Sequence, residues 1–409
     1  MNPRIVLGVG GGIAAYKVCE LLRLLTEAGH PVRVVPTASA LRFVGAATWA
    51  ALSGQPVSDQ VWDGVHEVPH VRIGQSADLV VVAPATADLL AKAAHGLADD
   101  LLTNTLLTAR CPLLYVPAMH TEMWEHPATA DNVATLRRRG AIVLEPAVGR
   151  LTGADTGKGR LPEPEEIYAV ATSLLRRGHA APDLTGRRVV VTAGGTREFL
   201  DPVRFLGNSS SGKQGYAFAR TAAARGAEVT LIAANVALPD PAGIDRLVRV
   251  TTTEELRLAV HQAAEDADVV VMAAAPSDYR PAEYSPSKLK KTGDGEVPAL
   301  RLAVNPDIAA ELGRKKPPGQ VLVAFAAETA EGGAGLDNAR AKLTGKNADL
   351  LVFNVVGRDR TFGADDSVIT LLDAEGGLAE LGPAPKPELA DAVWDRVLTL
   401  LPEAPCEVT

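Results

Sequence analysis

The run GNSSSGKQG at residues 207–215 puts glycines, hydroxyls and a lysine where a turn into a helix could cradle phosphate. Its first seven residues fit G-x-x-x-x-G-K, the phosphate loop in which backbone N–H groups and a lysine offset negative charge and a following Ser or Thr holds magnesium. Gln214 stands where that hydroxyl belongs. A true phosphate loop also follows its strand directly, whereas TREFLDPVRFL separates Gly207 from the apolar segment that ends near Gly194. A Walker-type ATPase is therefore disfavoured. What remains is an anion cradle of another kind, made of N–H groups, the hydroxyls of Ser210 and Ser211, and the positive end of a helix starting at Lys213.

A second glycine-rich turn, GVGGGIAAYK, spans residues 8–17. Its glycines let a backbone approach phosphate, but no acid stands at the end of the next apolar segment to take a ribose diol. Thr37 and Ser39 stand there instead, which suits the phosphate of a mononucleotide. A tight turn with no ligand would use the same glycines. Cys19, Cys111 and Cys406 are scattered thiols without C-x-x-C spacing, which argues against a disulfide framework or a zinc site and suits a reducing cytosol. Cys111, at the start of an apolar segment, reads as a core thiol.

The elements that position these residues are legible in the apolar pattern. RIVLGVG (4–10), PVRVVPT (31–37), DLVVVAPAT (78–86), CPLLYVPAM (111–119) and AIVLEP (141–146) are apolar throughout, as strands buried on both faces of a parallel sheet must be. AAYKVCELLRLLTEAG (14–29) has helical spacing and ends on Gly29. The segment RRGHAAPDLTGRR (176–188) has no periodicity and predicts a linker, after which the pattern restarts. The second set of strands is RRVVVTAGG (187–195), AEVTLIAA (227–234), DVVVMAAA (268–275), QVLVAFAA (320–327) and DLLVFNV (349–355). Two doubly wound, mostly parallel α/β domains of Rossmann-like type are expected, at 1–178 and 187–409, with a linker at 179–186. Ligands of such sheets sit beyond the C-terminal ends of the strands, where the motifs fall.

A net charge of −8 over 409 residues argues against nucleic acid or an anionic membrane as partner. No apolar run reaches the ~20 residues needed to span a bilayer, and the first residues read as a strand, not a signal peptide. A soluble cytoplasmic enzyme is expected.

APATADLLAK (83–92), VPAMHTEMW (116–124) and VPHVRIGQSAD (68–78), with the first glycine turn, resemble the flavin-dependent cysteine decarboxylases. More narrowly, residues 1–175 resemble the phosphopantothenoylcysteine decarboxylase half of the bifunctional coenzyme A biosynthesis proteins. The resemblance implies bound FMN, held by Gly11, Gly12, Ile13, Thr37, Ser39, Ala85 and Thr86, with His70 beside flavin and substrate. It implies that the flavin oxidises the cysteine thiol to a thioaldehyde, creating the electron sink that lets carbon dioxide leave; hydride return and a proton donor then complete the product. Two positions depart from the family. His120 replaces the usual Asn after PAM, and RLTGADTGKGRLPEP (150–164) carries Gly153 where the family has its proton-donating Cys. Asp155, Thr152, His120 and Lys158 are the replacement donors considered. Relatives without the Cys, such as the lantibiotic peptidyl-cysteine decarboxylases, stop at an enethiol.

The run TAGGTREFLDPVRFLGNSSSGKQGYAFA (192–219) resembles the phosphopantothenate–cysteine ligase half of the same proteins, with Phe199 where Pro is common. MAAAPSDYRP (272–281), SKLKKTGD (287–294), NPDIAAEL (305–312), AFAAET (324–329) and ARAKLTGKNADLLVFN (339–354) continue the likeness. It implies that CTP activates the 4′-phosphopantothenate carboxyl as an acyl-cytidylate, which the amine of cysteine then displaces with release of CMP. Asn208 would stabilise that intermediate, and Lys288 would act from a closing lid. The implied nucleotide and substrate contacts are Arg204, Ser210, Ser211, Gly212 and Lys213, then Ala273, Ala274 and Asp278. Asn305, Pro306, Asp307, Ile308, Phe325, Lys342 and Lys346 complete them. Asp278 is the implied ligand of Mg2+ or Mn2+.

The first expectation is thus a fused two-step enzyme making 4′-phosphopantetheine, since the ligase product is the decarboxylase substrate. The likeness also implies a homo-oligomer in which trimeric decarboxylase and dimeric ligase domains combine into a dodecamer. Two other readings stand beside it: a ligase fused to a decarboxylase that stops at an enethiol or acts on peptidyl cysteine, and a first half that only binds flavin and regulates.

Overall fold

The computed structural model describes residues 2–58, 68–151, 155–178, 182–290, 299–328, 333–355 and 365–402. The chain divides into two compact units. The first is Met1–Asp183 with two short segments from later in the chain, and the second is most of Leu184–Thr409.

In the first unit the continuous apolar segments form β1 (Ile5–Val9), β2 (Val32–Pro36), β3 (Leu79–Ala85), β4 (Leu113–Pro117) and the two-residue β5 (Ile142–Val143). They make one sheet in the order β2-β1-β3-β4-β5. Every pairing in it is parallel, with Leu7 opposite both Val34 and Val81. Leu7 and Val81 belong to one core cluster, whereas Val6, Val80 and Val82 belong to another. A strand buried on both faces cannot alternate apolar with polar, which is why these segments read as unbroken apolar runs. One face is covered by α1 (Ala15–Glu27) and, much later in the chain, by α8 (Pro164–Arg177), through Leu21, Leu25, Ile167 and Leu174. α2 (Ala46–Ser53) adds Trp49 to this side. The other face takes α3 (Pro69–Ser76), α4 (Ala87–His95), α5 (Leu101–Thr108) and α7 (Pro127–Arg138), with Ile73, Leu89, Leu102 and Val133 buried. The short α6 (Thr121–Trp124) follows β4, and an antiparallel hairpin, β6 (Ala147–Arg150) with β7 (Thr156–Arg160), leads into α8.

The second unit opens with β8 (Arg188–Gly194), then a small antiparallel hairpin, β9 (Arg197–Phe199) with β10 (Phe205–Gly207), before α9 (Lys213–Ala224). β11 (Glu228–Ala234), β12 (Arg246–Val250), α10 (Thr253–Ala264) and β13 (Val269–Met272) follow. β14 (Tyr279–Pro281) pairs with β15 (Leu302–Val304), and α11 (Ile308–Lys315), β16 (Val321–Glu328), α12 (Gly333–Gly345) and β17 (Leu350–Val355) complete the alternation. β18 (Asp366–Asp373), β19 (Leu378–Pro385) and α13 (Lys386–Leu400) end it. The main sheet runs β12-β11-β8-β13-β16-β17-β18-β19, parallel as far as β17 and antiparallel thereafter. Numbered within the unit, its parallel part has the order 3-2-1-4-5-6 of doubly wound nucleotide-binding sheets. On one face α9 and α13 pack together: Trp394 is fully buried, and its indole N–H donates to Thr221 Oγ1 at 2.9 Å. α10, α11 and α12 cover the other face.

Each sheet reverses its winding once, between β1 and β3 in the first unit and between β8 and β13 in the second. Helices leave toward opposite faces there, so a crevice must open beyond the strand ends. Among the described residues no helix is long and apolar enough to cross a membrane.

Candidate active sites

Each unit has a cavity at its own switch point. That of the first unit holds about 1300 Å3. This exceeds the roughly 300–1,000 Å3 of ordinary small-molecule sites and leaves room for two ligands side by side. Gly11, Gly12, Ile13, Thr37, Ser39 and Thr86 all line it. The Gly10 N–H donates to the Pro84 carbonyl at 3.1 Å, drawing the ends of β1 and β3 together. A side chain at Gly11 would run into Ser39, backbone and Cβ alike, so only glycine allows this approach. The Thr37 hydroxyl accepts from the Ala40 N–H at 3.1 Å, and Thr86 caps α4 by accepting from the Leu89 N–H at 3.3 Å. Ala85 is fully buried at the end of β3 and does not reach the cavity; it sets the position of Thr86.

His120 precedes α6, is exposed and lines the cavity with Met119 and Met123. The hairpin closes against this turn: the Met119 N–H donates to the Gly159 carbonyl at 2.9 Å, and a side chain at Gly159 would strike the Met119 carbonyl. Of the replacement donors for the missing Cys, Lys158 is held by Glu145 at 2.7 Å. Burial pushes the Glu145 carboxyl up, but Lys158 and Arg137 together hold it below its ordinary value. Asp155 is exposed at the hairpin tip and does not line the cavity. Thr152 and Gly153 lie outside the described residues. His120 is thus the one of the four candidates that the described residues bring into the cavity. Cys111 packs among core residues of the far face, and burial pushes its thiol up to about 11.

His70 is placed elsewhere. It lies in the first turn of α3, which packs on α5, and the Thr108 hydroxyl donates to its carbonyl at 2.8 Å. Its imidazole does not line the cavity of its own chain, and its Nδ1 is buried without a hydrogen-bond partner. The preceding Val68 has φ of 44°, an uncommon conformation for a β-branched residue.

The second unit's cavity, about 560 Å3, collects residues that are far apart in the chain. Asn208, Ser210, Ser211, Gly212 and Lys213 meet Ala273, Ala274 and Asp278 there. Asp307, Phe325, Lys342 and Lys346 line the same cavity. Gly212 has φ of +78°, which turns the chain into α9. The Ser210 and Ser211 hydroxyls accept from the N–H groups of Gly212 and Lys213 at 3.4 Å each. These are long, weak bonds that an anion could displace. The Asn208 amide donates to the Pro276 carbonyl at 2.8 Å, which fixes its side chain across the switch point. Phe325 packs edge-on against Phe218 of α9 at 5.4 Å between centroids.

Lys346 pairs with Asp307 at 2.7 Å, and Asp307 also caps α11 by accepting from the Ala310 N–H at 3.0 Å. Burial pushes this carboxyl up, yet Lys346 and the helix N–H groups hold it below its ordinary value. Asn305 and Ile308 do not line the cavity. Asn305 is a strut: its side-chain amide donates to the Ser277 carbonyl and the Thr253 hydroxyl and accepts from Arg280, and its backbone N–H donates to the Asp278 carbonyl at 2.9 Å. Ile308 lies in the core under α11, and Pro306 is likewise outside the cavity lining. Arg204 and Lys288 also lie off the cavity, on exposed backbone that forms one tethered region. The fully buried Asp201 carboxylate accepts from the N–H groups of Val203, Arg204 and Leu289, and Arg204 donates to the Leu289 carbonyl. The rest of the lid motif, Lys291 to Asp294, lies outside the described residues. Among the described residues no three His, Cys, Asp or Glu side chains gather around a metal position.

The sequence reading missed Tyr16, Lys17 and Arg160 in the first cavity and Lys386 in the second. Lys386 was open to detection, because a lysine opening a helix sits at the positive end of the helix dipole, where an acid is usual.

Comparison with known proteins bears on both units. A family model described as Flavoprotein matches residues 1–176, and one described as the C-terminal domain of DNA/pantothenate metabolism flavoprotein matches residues 184–401. The coenzyme A biosynthesis bifunctional protein CoaBC of Mycolicibacterium smegmatis is 59% identical over 408 residues, covering 98% of each chain. The protein of the same name from Bacillus subtilis is 40% identical, covering 98% of this chain and 97% of its own. A crystal structure of the C-terminal domain of a CoaBC protein is 34% identical, covers 54% of this chain and 98% of that one, and aligns with a TM-score of 0.45.

Proposed function

The chain belongs to the CoaBC family of bifunctional coenzyme A biosynthesis proteins, and from that premise we propose how its two halves divide the work. It is a decarboxylase fused to a ligase. The second unit uses CTP to join 4′-phosphopantothenate to cysteine, and the first decarboxylates the product to 4′-phosphopantetheine. The observation that carries this reading is the convergence of Asn208, Ser210–Lys213, Asp278, Phe325, Lys342 and Lys346 on one cavity from distant parts of the sequence.

In the ligase half, the N–H groups at Gly212 and Lys213 and the start of α9 receive phosphate oxygens, and the lysines offset charge as pyrophosphate leaves. Asn208, fixed to Pro276, presents its amide to the acyl-cytidylate. Lys288 reaches the nucleotide by movement of its tethered segment. A divalent cation would be held by Asp278 together with the substrate phosphates, since no protein cluster gathers around it among the described residues.

In the decarboxylase half, the residues fit FMN. Gly11 permits a close approach that a side chain would block, the turn residues 11–14 before α1 line the same crevice, and the exposed Ile13 offers an apolar surface there. When bound, the flavin supplies oxidation of the substrate thiol and return of the hydride. His120 holds the substrate carboxylate, taking the place of an amide donor, and then gives the proton that completes the saturated product. The Met119–Gly159 contact lets the hairpin exclude water from this step. His70 serves the cavity of a neighbouring copy: its unpartnered Nδ1 and its position outside its own cavity support a trimer whose sites are shared. The ligase halves would pair these trimers into a dodecamer, and the reaction belongs in the cytoplasm.

A coupled incubation with 4′-phosphopantothenate, CTP and cysteine, read by mass, tests this. Pyrophosphate and 4′-phosphopantetheine are expected. A product two hydrogens lighter would show that the first half stops at the enethiol, and absence of pyrophosphate would reject the ligase reading. The enethiol and peptidyl-cysteine alternatives are disfavoured by likeness to bifunctional relatives over the whole chain.

A further inference from the structure

The backbone between β13 and β14, residues 273–278, forms part of the wall of the second cavity. It has no regular secondary structure, so its polar groups must find partners one by one. The Ala275 N–H donates to the Gly194 carbonyl at 2.8 Å, and the Ala275 carbonyl accepts from the Thr196 N–H at 3.4 Å. Side chains supply the other partners. Thr192 accepts from the Ala274 N–H at 3.0 Å, and Thr196, only 1% exposed, accepts from the Ser277 N–H at 2.8 Å. From the opposite side the Asn305 amide donates to the Ser277 carbonyl at 2.8 Å, and the Asn305 N–H donates to the Asp278 carbonyl at 2.9 Å. Thr253, fully buried at the start of α10, joins the two. Its hydroxyl lies 2.9 Å from that of Thr196 and accepts from the Asn305 amide at 3.3 Å. Thr196, Thr253 and Asn305 thus form a closed circuit with Ser277 and grip both its N–H and its carbonyl. On either side of Ser277 stand Pro276, whose carbonyl holds the Asn208 amide, and Asp278.

We infer that Thr196, Thr253 and Asn305 are positioning residues for ligation: their circuit fixes the 276–278 backbone and, through it, the Asn208 amide and Asp278. None of the three lines the cavity. Thr196 lies past the end of β8 and Asn305 past the end of β15, so neither side chain is needed to hold a strand in the main sheet. A buried hydroxyl–amide circuit is satisfied in one arrangement only, because each member lost leaves another buried group without its partner. A reacting site tolerates little slack at such a place, since a misplacement near 1 Å can cost about 10²-fold in rate. The inference rests on reading this cavity as the ligase site.

Steady-state pyrophosphate release by full-length variants tests it. T196V keeps the shape of the side chain and removes the acceptor of the Ser277 N–H, so its ligation kcat should fall about 10- to 100-fold. Its KM for CTP should stay within about three-fold of wild type, because no member of the circuit touches the nucleotide. T196S restores the hydroxyl and should recover kcat to within about three-fold of wild type. T253V opens the circuit while the Ser277 N–H stays bonded, and should cost roughly three- to ten-fold. N208A should cost about ten-fold or less in the T196V background, far below its cost in wild type, because the amide it removes is already misplaced. A T196V kcat within about two-fold of wild type, a T196S variant as slow as T196V, or penalties that multiply in full in the double variant would each overturn the inference. Should T196V fail to fold, seen as loss of its melting transition, T253V decides alone, and a wild-type kcat there overturns it. Wild-type protein that releases no pyrophosphate would reject the ligase reading and this inference with it. Unimpaired variants of an active wild type would reject the inference alone.

Discussion

On the proposed function, the two units solve one problem, holding phosphate at the switch point of a parallel sheet, in different ways. In the first, β1 ends at Val9 and α1 begins at Ala15, so a short glycine turn lies directly over the crevice. In the second, the β9–β10 hairpin is inserted between β8 and α9, and the cradle residues at 208–213 return from it. Basic side chains line both cavities, among them Lys17, Lys92 and Arg160 in the first and Lys213, Lys342 and Lys346 in the second, but the first adds close backbone approach and hydroxyls at strand ends. The difference suits their ligands. On the proposed function, a cofactor that stays bound is gripped by close backbone fit as well as by charge, while a nucleotide that enters and leaves as different anions is held mainly by charge. Lysines paired with carboxylates at rest, as Lys213 is with Asp365 and Lys346 with Asp307, can exchange partners at little cost.

Substitutions that strike one unit and spare the other put this contrast under strain. The largest effect is expected for Gly11→Val, whose side chain would collide with Ser39. The purified protein should be colourless and lack decarboxylation while ligation continues at the wild-type rate. Flavin absorbance and pyrophosphate release measure the two outcomes. Next is Asn208→Ala, which should lower the ligation kcat by about 10²- to 10³-fold, as loss of an intermediate-stabilising donor does elsewhere, with flavin content unchanged. His120→Ala should change the product more than the first step: carbon dioxide release should persist at a reduced rate while the enethiol accumulates, seen as a loss of two hydrogens in mass. A saturated product from this variant would assign the proton to another group.

The smallest effect concerns Asp307. Its carboxyl is held below the ordinary aspartate value near 3.9 by Lys346 and the N–H groups of α11, outweighing burial. The stabilisation is therefore complete above that value and fades as pH falls through the depressed one. Because the pair is part-exposed, wild type should exceed Asp307→Asn by no more than ~1 kcal/mol at pH 7, and the gap should close below about pH 4. Melting curves across that range would show it.

The sheets were legible in the sequence because strands buried on both faces must be apolar throughout, and runs such as VVVAPA and RVVVTAG have no other soluble explanation. The β18–β19 hairpin went unseen. Its outer strand, LAELGPAP, lies at the sheet edge, is mostly exposed and carries two prolines, so it lacks the apolar signature of a buried strand. The cradle was legible because Gly212, Ser210 and Ser211 are local in sequence. Lys386 was not found there, because it joins the cavity only through the packing of α13 on α9, a long-range contact. The same limit applies to His70, whose motif says nothing of which cavity its imidazole faces.

The central claim is that the two switch-point cavities are separate active sites acting in series. It is tested most directly by incubating Gly11→Val and Asn208→Ala proteins, alone and mixed, with 4′-phosphopantothenate, CTP and cysteine, and reading the products by mass. The account predicts that Gly11→Val alone accumulates phosphopantothenoylcysteine, that Asn208→Ala alone forms little of any product, and that the mixture yields 4′-phosphopantetheine. A mixture that makes no more 4′-phosphopantetheine than Asn208→Ala alone would contradict it.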